Sequence, residues 1–361
     1  MTARGDEWPL ERLLSEVVGS GPKSAEDMSH EQATEALQRI LSREPDPTTL
    51  GAFLLANRWK HNTPEELAAF VDVMRTRSVE TAEPEVDPVD CGANYDGKAE
   101  TALLGVGAAV VAAAAGTPVV FHSGDHVPSQ EGWAYSHVLD DLGVSTALSP
   151  SDSAAMTDAV GVGFYYQPRC NPGIHALLDR RRHMGVRTLI NTIETLANPA
   201  NATVHLGSFY HLPFAKKLMD TAAASETLAF DRVITFQGLE GYDDIRPGYT
   251  KVAEWNDGDS TDYEIETADY GMDFETAALR VEDVPADSAR ITEEVLTGER
   301  DDQFADAIAL NGAFRIYAGG DCSDLDEGLA LARGVLGDGD AAAVLTALRE
   351  FQPRRTVPSH D

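Results

Sequence analysis

Two adjacent carboxylates, Asp243 and Asp244, follow an apolar run that ends at Phe236 and a Gly238-Leu239-Glu240-Gly241 turn. Side by side they offer hard oxygen ligands to Mg²⁺, which takes one or two carboxylates plus substrate phosphates. In so acidic a chain the pair is also ordinary solvated surface. Gly92 and Gly97 bracket a second segment, Gly92-Ala93-Asn94-Tyr95-Asp96-Gly97, which reads equally as a phosphate loop or as a plain turn before a buried helix. Arg180, Arg181 and Arg182 form a run of guanidinium groups, suited to planar anions or to a basic helix face making surface ion pairs. His122, His126 and His137 match no common zinc spacing, so a metal site built from them is not expected.

These residues need elements to hold them. Apolar positions recur at helical spacing through residues 28 to 76, as at Ala36, Leu37, Ile40 and Leu41 and again at Leu67, Phe70, Val71 and Met74. Thr63-Pro64-Glu65-Glu66 predicts a helix start, with Thr63 as N-cap, Pro64 in the first turn and Glu66 closing a capping box. Ser78 to Asp90 is acidic, carries Pro84 and Pro88, and reads as a linker. Beyond it, short apolar runs at Pro118 to His122, Val160 to Tyr166, Val204 to Tyr210 and Val233 to Phe236 alternate with helix-like segments. That alternation predicts an α/β fold with a mainly parallel sheet, whose ligands bind beyond the strand C-termini. Much of the candidate chemistry sits at such ends, with Asp243 and Asp244 on a loop expected to be exposed.

Arg187 to Ala200 reads R-T-L-I-N-T-I-E-T-L-A-N-P-A. It resembles the R-T-x-x-N-x-x-G-P-L-x-N-P-A block of the anthranilate phosphoribosyltransferase family, with Glu194-Thr195 in place of Gly-Pro. Further blocks recur in order. Gly92 to Gly97 is similar to the family's G-T-G-G-D-G loop, and Val119 to Gly132 to its K-H-G-N-R-x-x-S-S-x-x-G loop. Gly238 to Asp244 resembles G-x-D-G-L-D-E, Ala268 to Met272 resembles E-D-F-G-L, and Leu310 to Ala313 resembles an L-N-A-A helix start.

The resemblance runs from about Glu31 to Phe351 and is closest to the divergent branch of the family. It implies a small helical domain, residues 1 to 88 joined by about 168 to 200, packed on a larger α/β domain, residues 89 to 361, of nucleoside phosphorylase/phosphoribosyltransferase type. The implied substrates are phosphoribosyl pyrophosphate (PRPP) and anthranilate or another aromatic acceptor, with Mg²⁺ as cofactor and a homodimer as the assembly. Gly92, Asp96, Gly97, His122 and Ser129 then fall in the phosphate loops, Arg181 where the acceptor's carboxylate binds, and Asp243 and Asp244 at the metal. The chain departs from the pattern at Asn94 and Tyr95, at Phe121 and Asp125 where Lys and Arg would stand, and at the apolar stretch Ala102 to Gly105 in place of N-x-S-T. A non-catalytic protein on the same fold, binding a ligand or nucleic acid, is the alternative.

Composition narrows these readings. A length of 361 residues suits two domains. The net charge is -32, and only six of the 28 basic residues are lysines. Acidic clusters at Asp87 to Asp90, Asp257 to Asp262, Glu293 to Asp302 and Asp321 to Glu327 are dispersed, so no tail accounts for them. This is the composition expected of a halophile's cytoplasm, and its field repels nucleic acid and anionic membranes. Cys91, Cys170 and Cys322 are scattered without pairing, and the N-terminus lacks the apolar core of a signal peptide, both consistent with the cytosol. Ala102 to Phe121 runs twenty residues without a charge, but Gly116-Thr117-Pro118 interrupts it; a buried helix to Ala115 followed by a strand is expected rather than a membrane span. Dispersed like charges repel in dilute buffer and are screened by salt, so the melting temperature should climb steeply from dilute buffer towards molar KCl. A flat profile in differential scanning calorimetry would remove the halophilic reading.

Overall fold

The computed structural model describes residues 7–21, 23–92, 97–126, 129 and 131–353. Four helices open the chain: α1 (Leu10–Glu16), α2 (His30–Leu41), α3 (Pro47–Lys60) and α4 (Pro64–Arg77). Their starts are written in the sequence. Ser29 and Thr63 both close capping boxes, and the Asp46 carboxylate accepts from the amides of Thr48 and Thr49.

The α/β part carries β1 (Val89–Gly92), α5 (Gly105–Ala114), β2 (Val119–Ser123), α6 (Tyr135–Asp141), α7 (Pro150–Val160) and β3 (Val162–Tyr166). Short helices α8 (Gln167–Cys170), α9 (Pro172–His175), α10 (Leu178–Met184) and α11 (Leu189–Ile193) follow. Next come β4 (Val204–Phe209), α12 (Leu212–Ala224), β5 (Arg232–Gln237), β6 (Tyr249–Asn256) and β7 (Asp259–Glu266). Helices α13 (Val284–Leu296), α14 (Gln303–Gly319), α15 (Leu325–Asp338) and α16 (Asp340–Glu350) complete the described chain.

Among the described residues seven strands form one sheet in the order β3-β2-β1-β4-β5-β6-β7, parallel through β5 and antiparallel at β6 and β7. The expected α/β fold with a mainly parallel sheet is therefore present. Sheet order reverses direction between β1 and β4, which creates a crevice beyond their C-terminal ends. The two faces of the sheet feed different cores. Ile234, Phe236, Leu206 and Val252 pack with α5, α13 and α14, whereas Val233, Phe209 and Ala253 pack with α1 to α4 and α12, following the period-two alternation of strands. Ile174, Leu177, Leu189, Ile190, Ile193 and Leu196 join this second core.

The uncharged stretch resolves as expected into a helix and a strand. Helix α5 is buried on all sides, packed against α13, α14 and α16, and among the described residues no helix is long and apolar enough to cross a membrane. Three elements differ from expectation. Strand β1 begins inside the acidic segment read as a linker. The cluster Asp257 to Asp262 is the turn and return strand of the β6–β7 hairpin, with Asp257 and Gly258 both at positive φ (45° and 96°) as a two-residue Asp-Gly turn requires. Leu310 to Ala313 lies in the middle of α14, whose N-cap is Asp302, and is not a helix start.

Candidate active site

The sequence-expected residues separate into three neighbourhoods. In the first, Asp243 and Asp244 follow β5 as expected but are fully buried, contrary to the exposed loop anticipated for them. Burial is tolerable because each has a cation of its own. The Arg315 guanidinium on α14 donates to Asp243 Oδ2 at 3.2 Å, and Lys98 Nζ donates to Asp244 Oδ2 and to the Ala102 carbonyl oxygen. Tyr135 donates its hydroxyl to Asp243, and the Leu104 amide donates to Asp244 at 3.1 Å. The apolar stretch Ala102 to Gly105 thus serves the acidic pair through its backbone. Burial, partly offset by Arg315, raises the Asp243 carboxyl above its usual range. One oxygen, Asp244 Oδ1, is buried and has no hydrogen-bond partner. Beside this cluster Glu240 accepts from the amides of Ala99 and Thr101 and from the Thr101 hydroxyl; burial would raise it, but these bonds and Lys98 hold it low.

The second neighbourhood joins the two glycine-containing loops. Lys98 and Trp133 exchange backbone hydrogen bonds at 2.9 and 2.8 Å, and Gly97 lies at φ 71° where a Cβ would sit 2.4 Å from the Gly132 carbonyl carbon. Only glycine permits that approach. Ser129 lies in the same loop with a buried hydroxyl. Asp96, with Asn94 and Tyr95, lies outside the described residues. His126, tilted, and His137, edge-on, pack around Trp133 with centroids 5.5 and 4.9 Å away, and burial lowers the His137 pKa. Among the described residues no group of three or more candidate metal ligands occurs. Asp125 accepts from the Tyr166 hydroxyl at 2.6 Å.

Arg181 occupies the third. Its side chain is buried and forms two bonds to Glu194, at 2.9 and 2.6 Å, while Gln167 donates to the same carboxylate at 2.8 Å. Glu194, one of the residues standing in place of Gly-Pro, therefore fills the guanidinium fork. Arg182 reaches Glu131 and Asp179, and Arg180 donates to the Pro45 carbonyl oxygen. The Asn198-Pro199 turn is tied to α4 by Arg75, which donates to the carbonyl oxygens of Ala197 and Asn198.

At the switch point of the sheet opens a cavity of 330 Å³, and of the described residues expected at the site only Gly92 lines it. Gly92 at the end of β1 and Gly207, Ser208 and Phe209 at the end of β4 form its floor, and residues of α3, α11 and α12 form its walls. Its lining holds Arg58, Arg187, Lys217, His61, His205 and His211, and none of the described residues lining it is Asp or Glu. Behind the floor, Asp90 on β1 lies between two imidazoles: His205 Nδ1 is 2.8 Å from Oδ2 and His122 Nε2 is 3.3 Å from Oδ1. His122 is fully buried and is not part of the cavity lining. Burial would raise Asp90, but the two histidines outweigh it and hold the carboxyl at about 2. Sequence reasoning missed Lys98, Arg315, Glu194's pairing and His205, because each acts through a partner distant in the chain.

The chain is similar to known proteins over most of its length. A family model described as "Glycosyl transferase family, helical bundle domain" matches residues 14–78, and one described as "Glycosyl transferase family, a/b domain" matches residues 86–342. Anthranilate phosphoribosyltransferase of Hydrogenovibrio crunogenus is 32% identical over 327 residues, covering 90% of this chain and 94% of that protein. That of Natronomonas pharaonis is 31% identical, covering 91% and 97%. The chain belongs to the anthranilate phosphoribosyltransferase family. Among solved structures, the Thermus thermophilus member superposes with a TM-score of 0.76 at 28% identity, covering 90% of this chain and 95% of that one. The Saccharomyces cerevisiae member, solved in complex with PRPP and Mg, has a TM-score of 0.79 at 20% identity, covering 94% and 96%; at that identity the likeness speaks for the fold. Family membership agrees with the resemblance carried by the Arg187 to Ala200 block, and the helical and α/β parts are those of the family.

Two outcomes follow from the buried charges. Lys98→Met leaves Asp244 buried without its cation, so it should cost about 3–5 kcal/mol, measured by urea denaturation in concentrated KCl at neutral pH; a loss under about 1 kcal/mol would contradict the ion pair. Asp90 is held below its unfolded value of 3.8, so its contribution is complete above that pH and is lost as pH falls towards 2. Asp90→Asn should therefore remove about 2 kcal/mol of the acid-dependent stability between those limits, read from denaturation midpoints across the acid range.

Proposed function

We propose that the protein transfers phosphoribose from PRPP to an aromatic amine, anthranilate or a close relative, in the cavity beyond β1 and β4. The observation that carries this reading is the cavity's charge. In a chain of net charge -32, the described lining of this one cleft bears Arg58, Arg187 and Lys217 with no carboxylate. Anions are attracted to such a concentration of cations within an otherwise acidic field. The relatives' activity, and the PRPP found with the yeast protein, supply the identity of the anion.

In this reading Gly92, Asp96, Gly97 and Ser129 belong to the donor side and Arg181 to the acceptor side, whereas His122, buried outside the cavity, stands behind the site beside Asp90. Arg181 reaches an acceptor carboxylate only if Glu194 yields its place in the fork. Asp243 and Asp244 would hold Mg²⁺, and the unpartnered Asp244 Oδ1 fits a hard cation. When bound, the metal would neutralise charge on the departing pyrophosphate. The chain's own residues position the reactants: Arg58 and Lys217 attract phosphates and the cavity walls hold the ring. Positioning and electrostatics of this kind are the main sources of rate in such transfers.

The domain division at residue 88, with 168 to 200 returning to the helical part, is supported by the shared core of α1 to α4 with Ile174 to Leu196. A homodimer is supported by Trp59, 77% exposed, and Leu55 on α3. A halophilic cytoplasm is supported by the dispersed acidic surface and three free cysteines. Calorimetry in molar KCl tests the donor. PRPP should bind with an enthalpy that depends on Mg²⁺, and Arg58→Ala with Lys217→Ala should weaken it by at least tenfold. Absence of PRPP binding to the unaltered protein at every salt concentration would withdraw the assignment.

A further inference from the structure

Asp90 and His205 form a carboxylate–imidazole pair whose free end faces the cavity. Asp90 is held as an anion, so it accepts a hydrogen bond from His205, and Nδ1 must carry the proton. In the neutral ring the lone pair is then on Nε2, for which the described residues provide no hydrogen-bond partner. Two glycines border that edge. A Cβ at position 92 would stand 2.0 Å from the Thr195 carbonyl oxygen and 2.8 Å from His205 Cε1, and one at position 207 would stand 2.9 Å from Nε2. Both glycines line the cavity with His205, and the Phe230 ring, its centroid 5.2 Å away, packs against the imidazole. The two residues are register partners near the starts of β1 and β4, and His205 reaches the cavity beneath the strand ends, where Gly92, Gly207 and Ser208 also line it.

We propose that His205 is the general base of the site, taking the proton from the acceptor's amine, and that Asp90 positions it. The inference rests on the phosphoribosyl-transfer reading above. As the amine lone pair bonds to the anomeric carbon of PRPP, the carbon–oxygen bond to pyrophosphate breaks and its electron pair leaves with pyrophosphate. The N–H proton passes to His205 Nε2, and the imidazolium so formed is stabilised by the Asp90 carboxylate before it releases the proton to solvent. The role needs a fixed tautomer, a charge partner and a face on the cavity; Asp90 supplies the first two, and His205, 1% exposed, borders the cavity as one of its lining residues. It also gives function to a histidine that the family blocks in the sequence do not mark. The chemical class it selects is an acceptor with a removable N–H proton.

The test joins turnover, donor binding and chemical modification. His205→Gln should lower kcat by about 10² or more while leaving the affinity for PRPP within threefold of the unaltered protein. Asp90→Asn should lower kcat in the same direction by a smaller factor. Retention of kcat within threefold in His205→Gln would overturn the proposal while leaving phosphoribosyl transfer intact. Failure of the unaltered protein to bind PRPP would instead sink the functional reading and this step with it. Should either variant fail to fold, diethyl pyrocarbonate on the unaltered protein decides: carbethoxylation of His205, mapped by peptide mass and slowed by PRPP, supports the base. An unmodified His205 alongside reacted His61 and His211 would contradict it.

Discussion

Every carboxylate buried in this protein must be given a partner, and cations are scarce. Sixty acidic residues share the chain with 28 basic ones, yet the interior holds Asp243 with Arg315, Asp244 with Lys98, Glu194 with Arg181, and Asp90 between two histidines. An uncompensated buried charge costs several kcal/mol, far more than a surface pair returns. The fold therefore depends on these few pairings. They link α14 to the loop after β5, the segment after β1 to that same loop, α10 to the segment after α11, and β1 to β2 and β4.

The same scarcity makes the cavity at the β1–β4 switch point informative. Cations not engaged with buried acids could be scattered over the surface as screening partners. Many are, as Lys216 with Asp220 and Arg290 with Asp287 show, but Arg58 on α3 and Lys217 on α12 line one opening beside His61 and His211. The buried pairs define what the cavity borders. Asp90 lies directly behind His205, and Glu194 fixes Arg181 next to the segment whose Thr195 lines the wall. Structure and chemistry are joined by one strand: β1 is four residues long, yet it carries Asp90 into the core and ends on Gly92 at the cavity floor.

Much of this was legible in the sequence where the signal is local. The capping box at Thr63 and Glu66, the apolar periodicity of α2 and α4, and the strands at 119, 162, 204 and 233 all report neighbours within a few residues. The Arg187 to Ala200 block located the family and hence the helical and α/β architecture. Strand β1 escaped because its four residues include Asp90 and Gly92, which carry no strand propensity. The β6–β7 hairpin escaped because its Asp257-Gly258 turn was counted as charge, although Asp-Gly flanked by alternating residues is a hairpin signal. The ion pairs escaped for a deeper reason. Lys98 and Asp244 are separated by 146 residues and Arg315 and Asp243 by 72, so no spacing rule connects them.

The cation-lined cavity beyond β1 and β4 is the proposed place of the anionic donor. A crystal structure of the protein grown in molar KCl and soaked with PRPP and Mg²⁺ tests it most directly. Phosphate density is expected within hydrogen-bonding distance of Arg58 or Lys217, with the anomeric carbon of the ribose towards Gly92 and His205. Ordered PRPP bound elsewhere, with this cavity filled by water, would contradict it.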